Sequence, residues 1–186
     1  QPGPEAGKDA MISNLQPDQN FGDHKYFEAT FLSEPVLTVM RLNRSLIFFN
    51  LNQLPKSATI RKVMLRLSCE VPVPFDSTLL ANTGRFTGGV LQQVTEPWDE
   101  YKVTWNNQPA STELNQVLVY PFVRNVNFIE LDVTRLFVPV NVTDMPNHGI
   151  KFKLIPENSF PGFRFASSDH PNIALRPMLI IYYTLP

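Results

Sequence analysis

Disulfide staples are excluded first. The chain of 186 residues carries a single cysteine, Cys69, and one thiol closes no internal bridge. Cys69 falls in phase with Val63, Leu65, Leu67 and Val71, so it reads as a buried strand residue. No apolar run approaches the roughly 20 residues that a membrane-crossing helix needs. Charge of one sign is lacking as well: 16 basic residues stand against 17 acidic ones, which leaves no overall field to draw nucleic acid. Glycine is scarce, at 8 residues, and no phosphate-cradling loop is present. Gly-x-Ser-x-Gly, a Cys–His pair and zinc-ligand spacing are all missing, and His24, His148 and His170 are scattered beside turn-type residues. No segment repeats, and no shift in composition marks a second domain.

What the chain does have is proline, 17 residues, and phenylalanine, 14. Proline at that density cuts long helices, because it lacks an N–H and clashes one turn back. Sustained apolar spacing at 3, 4 and 7 is nowhere found, whereas short β-branched and aromatic runs between Pro, Asn, Asp and Ser are the signature of strands. Residues 1–8, rich in Pro and Gly, read as a linker tail, and 9–186 as one domain. The start at Gln1-Pro2-Gly3-Pro4, with no initiator Met, suggests a trimmed or processed N-terminus and is compatible with a removed signal peptide.

Strands are expected from Asp9 through Ile12, over 36–42, over 44–51 after a turn at Asn43-Arg44, and over 59–71, the longest. The run Leu46-Ile47-Phe48-Phe49 is apolar on both faces, as a strand covered on both sides is. In 59–71, Val63, Leu65, Leu67 and Cys69 point in, while Lys62, Met64, Arg66, Ser68 and Glu70 point out. Further strands fall at 90–94, 103–105, 117–123, 128–133, 150–154, 162–167 and 178–184. A helical turn is expected at 134–138, capped by Asp132 or Thr134. About ten short strands make an all-β, two-sheet antiparallel β-sandwich.

The order of several motifs resembles the DNRLRE (disaggregatase-related repeat) family, one branch of which is classed as an alginate-binding carbohydrate-binding module. They stand here as Asp9-Ala10, Asn20-Phe21-Gly22, the strand over 44–51, Leu54-Pro55 with the strand over 60–67, Trp98-Asp99-Glu100, and Val103-Thr104-Trp105-Asn106-Asn107-Gln108-Pro109. Asp132-Val133-Thr134, Asn147-His148-Gly149-Ile150, Phe165-Ala166-Ser167-Ser168 and the strand over 177–183 complete the set. Phe48 stands where the family usually carries Lys, and Asn50 where it carries Asp. The resemblance covers about residues 9–184 and implies a jelly-roll on a secreted or cell-surface protein, often beside polysaccharide-degrading enzymes.

Three groups of residues are candidates for chemistry. Trp98, Tyr101 and Trp105 offer rings on which the C–H face of a sugar stacks, or which pin a loop to the core; Tyr101 is the ring expected to face solvent. Lys62 and Arg66 on one strand, Lys151 and Lys153 on another, with Arg164, Arg41 and Arg44, point outward by alternation. If they converge on one sheet, they make a cationic groove for carboxylates, which Arg grips through two hydrogen bonds at once; otherwise they are a solvated face that discourages edge pairing. As exposed charges, Lys151 and Lys153 should be removable without loss of stability. Asp9, Asn20, Asp23 and Asp132 are the oxygen donors a structural calcium would use, no other cofactor being required.

Asp99-Glu100 is a poor acid–base pair, because strand neighbours face opposite ways. A polysaccharide lyase would need a Tyr or His beside Arg, and His148 near Arg164 or Tyr183 is the arrangement to look for. Asn43-Arg44-Ser45 and Asn141-Val142-Thr143 fit the glycosylation sequon. The reading is a non-catalytic carbohydrate-binding module for an anionic, uronate-rich polysaccharide, within a larger secreted or surface assembly, with no nucleic acid and no transmembrane segment. Its alternative is a structural or adhesion domain with no sugar ligand.

Overall fold

A computed structural model describes residues 7–34, 39–69, 88–120, 126–138, 146–158 and 162–186. Ten strands follow one another: β1 (Gly7–Ser13), β2 (Tyr26–Glu34), β3 (Val39–Phe49), β4 (Thr59–Ser68), β5 (Gly88–Val94), β6 (Ser111–Val119), β7 (Phe128–Asp132), β8 (Ile150–Ile155), β9 (Gly162–Ala166) and β10 (Met178–Thr184). One helical turn, α1 (Thr134–Phe137), follows β7, and a 3-10 turn spans Ile173–Leu175. Seven strands form one sheet in the order β6-β5-β8-β3-β2-β9, with β1 also paired to β3; β10-β4-β7 form the other. Every pairing is antiparallel, so the fold is the two-sheet sandwich that the strand pattern implies.

The main core lies between the sheets. Phe152 of β8 stacks on Phe27 of β2 at 5.5 Å between ring centres and meets Phe163 at 5.7 Å and Phe165 at 6.1 Å. Val63, Leu65 and Leu67 of β4 close this core from the other sheet, with Cys69 beside them. Burial of each such side chain stabilises by about 1.5–3 kcal/mol. Burial also pushes the Cys69 thiol up to about 11, which keeps it inert.

A second, smaller cluster joins Ala10, Ile12, Leu46, Val94, Trp98 and Val103, with Phe48 and Trp105 packed against it. Leu46 and Phe48 therefore belong to it, while Ile47 and Phe49 belong to the main core. This is why the run over 46–49 is apolar on both faces, and why a ring is useful at position 48.

Several expectations need correction. Strand β2 was not foreseen; its Phe27 and Ala29 face the main core, while Glu28 and Thr30 are buried in a polar cluster. There is no turn at Asn43-Arg44, for β3 runs through both and, at 11 residues, exceeds the 10 of β4. Ser68 is buried rather than outward. Residues 103–105 make no strand and sit in a turn-rich loop. β1 begins at Gly7, two residues before the expected start, and β6 covers Ser111–Val119 rather than starting at 117. Val36, Glu70, Val71, Val123 and the sequon at 141–143 lie outside the described residues.

Candidate functional site

The loop over 95–110 connects β5 to β6 and folds back on the outer face of the large sheet. Thr95 N donates to Ala110 O at 3.0 Å, closing its base. The motifs noted in the sequence meet one another here. Asn20 Nδ2 donates to Glu100 O and Val103 O, both at 2.8 Å, while its Oδ1 accepts from Gly22 N. Trp98 Nε1 donates to His148 O at 2.8 Å. Glu100 Oε1 accepts from Asp9 N at 2.9 Å, and Asp9 Oδ2 accepts from Ser168 N at 2.6 Å. Asn106 N donates to Pro17 O, and Asn107 Oδ1 accepts from Thr104 N. The ordered motif set is therefore largely a loop-fastening device.

Lys151 lies on this same outer face, opposite Leu46 of β3, but it does not point to solvent. It is 5 % exposed, and its Nζ donates to Pro109 O of the loop. The alternation is as expected; the loop covers the side chain. Burial, with the positive charges of Arg44 and Lys153 nearby, pushes its ammonium down to about 8.

Arg44, Lys151 and Lys153 come together at one edge of the large sheet, and the other basic residues do not join them. Lys62 and Arg66 are on β4 of the small sheet, where Arg66 pairs with Glu130 at 2.9 Å and lies over Phe128. Arg164 binds Glu28 at 2.6 Å and lies over the Tyr26 ring. Glu28 Oε2 further accepts from Thr30 Oγ1 and Asn43 Nδ2, so this is a buried structural network. Arg41 is half-buried on β3, opposite Leu32. Lys153, half-buried on β8, makes no ion pair among the described residues.

Of the rings, Trp98 is buried and holds the Lys8 ammonium 4.2 Å above its centre, so it pins the loop. Tyr101 is 63 % exposed; the Glu100 carboxylate, with some burial, raises its phenol. Trp105 is half-buried and carries the Arg44 guanidinium 4.3 Å from its ring centre. Arg44 is held in that plane by two hydrogen bonds to Glu157, at 2.6 and 2.8 Å, and one to Gln108 at 2.8 Å. Glu157 and Gln108 were not foreseen. Gln108 lies within the Val-Thr-Trp-Asn-Asn-x-Pro run, but Glu157 is 113 residues from Arg44 and carries no local signal. The edge of the outer face thus presents a fixed arginine–indole stack, the Gln108 and Glu157 side chains and the Lys153 ammonium.

The expected calcium donors are not gathered. Asp132 belongs to β7 of the small sheet, where its Oδ1 accepts from Thr134 N and Oγ1, whereas Asp9 belongs to β1 of the large one. Thr134 Oγ1 in turn accepts from Val63 N; the N-cap of α1 is Val133, which makes no side-chain capping bond, so neither Asp132 nor Thr134 is the cap expected from the sequence. Asn20 is engaged with the loop and Asp23 is exposed. Among the described residues no three His, Cys, Asp or Glu side chains form a metal-holding group. The set does not fit calcium. Desolvation raises Asp9 to about 7, and also raises Glu100 and Asp169. The lyase arrangement is also unformed: Tyr183 is on β10 of the small sheet, and Arg164 is committed to Glu28.

The chain is a two-sheet sandwich with a loop-built polar and aromatic edge on one face. Residues 4–183 match carbohydrate-binding module family 96, and the chain belongs to that family. No curated protein matches it. Its partner is accordingly a polysaccharide, and among the described residues no helix is long and apolar enough to cross a membrane.

Proposed function

We propose that this module, akin to the DNRLRE branch, binds an acidic, uronate-rich polysaccharide along the outer face of the seven-stranded sheet. It does so without catalysis, as part of a larger secreted or cell-surface protein. The observation that carries the reading is the Arg44–Trp105 stack beside Lys153. Trp105 offers an aromatic body to a sugar's C–H face, and Lys153 offers a cation to a carboxylate. Arg44 is committed to Glu157 and Gln108; it stiffens the ring instead of gripping the ligand. Tyr101, on the same loop, is a second exposed ring for a longer chain.

Affinity electrophoresis tests this with alginate, polygalacturonate and a neutral β-glucan in the gel. Retardation by the two uronates that fades with added salt is the expected outcome. Equal retardation by the neutral glucan removes the anionic preference, and no retardation by any of the three overturns the reading.

A further inference from the structure

The small sheet carries a feature of its own. An open cavity of about 380 Å³ lies at its rim, lined by Ile60, Arg61, Asp132, Thr134, Arg135 and Val138. That volume is at the small end of the about 300–1,000 Å³ typical of small-molecule sites.

A break in strand pairing delivers Arg61. Lys62 stands opposite Tyr182 and Ile60 opposite Tyr183, so Arg61 is the extra residue of a bulge, a device that re-aims a side chain. Arg61 shares the parity of the core residues Val63 and Leu65, yet it is exposed, because it sits where the interior face runs out beside α1. Its Nε donates to Thr184 Oγ1 at 3.2 Å, and its two outer nitrogens have no acceptor among the described residues. Arg135 of α1 is exposed and forms no hydrogen bond or ion pair among the described residues. Asp132 has one oxygen tied to Thr134 and Oδ2 without a donor among the described residues. Ile60 and Val138 supply apolar walls.

Two guanidinium forks match a carboxylate, one carboxylate oxygen accepts a hydroxyl, and apolar walls receive a ring's C–H face. Among the described residues the lining sets two arginines against one aspartate, a net charge of +1 and the complement of a monoanion. We infer that this cavity is a second saccharide site that takes a single uronate unit: its carboxylate on Arg61 and Arg135, a ring hydroxyl on Asp132. The site is on the opposite sheet from the Arg44–Trp105 edge and stands or falls without it.

The test follows the arginine Nε–Hε resonances of the whole chain during titration with digalacturonate, cellobiose and sodium sulfate. Digalacturonate should shift Arg61 and Arg135 saturably in the millimolar range, cellobiose should not, and Arg135→Gln should weaken the Arg61 response about tenfold. No saturable shift, an equal shift with cellobiose, an equal shift with sulfate at the same concentration, or an unchanged Arg61 response in Arg135→Gln overturns the inference. Arg44 Nε reports the other sheet in the same spectra, so failure at one site is distinguishable from failure at the other.

Discussion

Lys151 of β8 and Leu46 of β3 stand directly opposite one another, and both are buried on the face that the 95–110 loop covers. A lysine placed on the outer side of a strand is thereby made part of a second core. Lys151→Ala should lower stability by about 1–3 kcal/mol, because the Pro109 carbonyl loses its donor and the aliphatic stem leaves a gap. Lys153→Ala should stay within about 0.5 kcal/mol of the parent. Urea midpoints of the two variants check this; equal midpoints would show that the loop does not lean on Lys151.

Asp9 makes stability depend on pH. Its folded value of about 7 lies above the ordinary 3.8, so between those values the folded chain holds a proton that the unfolded chain has released. Stability therefore falls as pH rises from about 4 to 7. Glu100 and Asp169, also raised by burial, act in the same sense. Lys151, lowered to about 8, acts elsewhere: its cost is present below pH 8 and is relieved towards pH 10.5. Asp9→Asn should flatten the melting curve between pH 4 and 7 and be the more stable protein at pH 8. A variant whose pH profile parallels the parent's would remove Asp9 as the cause.

The two tryptophans should separate by experiment. Trp98 is buried in the second core, and Trp98→Ala should cost about 3–5 kcal/mol. Trp105→Ala should leave the fold standing and weaken polysaccharide binding about tenfold, or about 1.4 kcal/mol. Retardation in uronate gels, read beside thermal melting, distinguishes the two.

Gly22 touches the loop where no side chain fits. A Cβ there would lie 2.3 Å from Glu100 O. Gly22→Ala should raise hydrogen exchange at the amides over 95–110 well before it affects those of β4, and cost about 1–3 kcal/mol. Uniform exchange across both would show that the loop is not an independently opening unit.

The two-sheet sandwich and the parity of β4, β7 and β8 were legible because each alternates about a continuous core. Strand β2 and the unbroken β3 were not. Glu28, Thr30 and Asn43 look like surface or turn residues, and they become strand residues only because they bind one another and Arg164, which lies 136 positions beyond Glu28. The same distance effect hid Glu157. Lys151 was misplaced for a different reason: alternation tells which side of a sheet a residue takes, and says nothing of a loop folded back over that side. The motif order was readable, but its meaning, a set of mutual fastenings, needed the contacts.

Those fastenings are mostly to main-chain atoms of the loop: Asn20 to the carbonyls of Glu100 and Val103, Lys151 to that of Pro109, and Lys8 to that of Trp98. A fastening made through the backbone is indifferent to what the exposed side chains are. Tyr101 and Lys102, both exposed, can be randomised while the anchoring bonds stay in place. The loop is in that respect a ready-made display frame, and a library built at those positions would sample new glycan preferences on an unchanged sandwich.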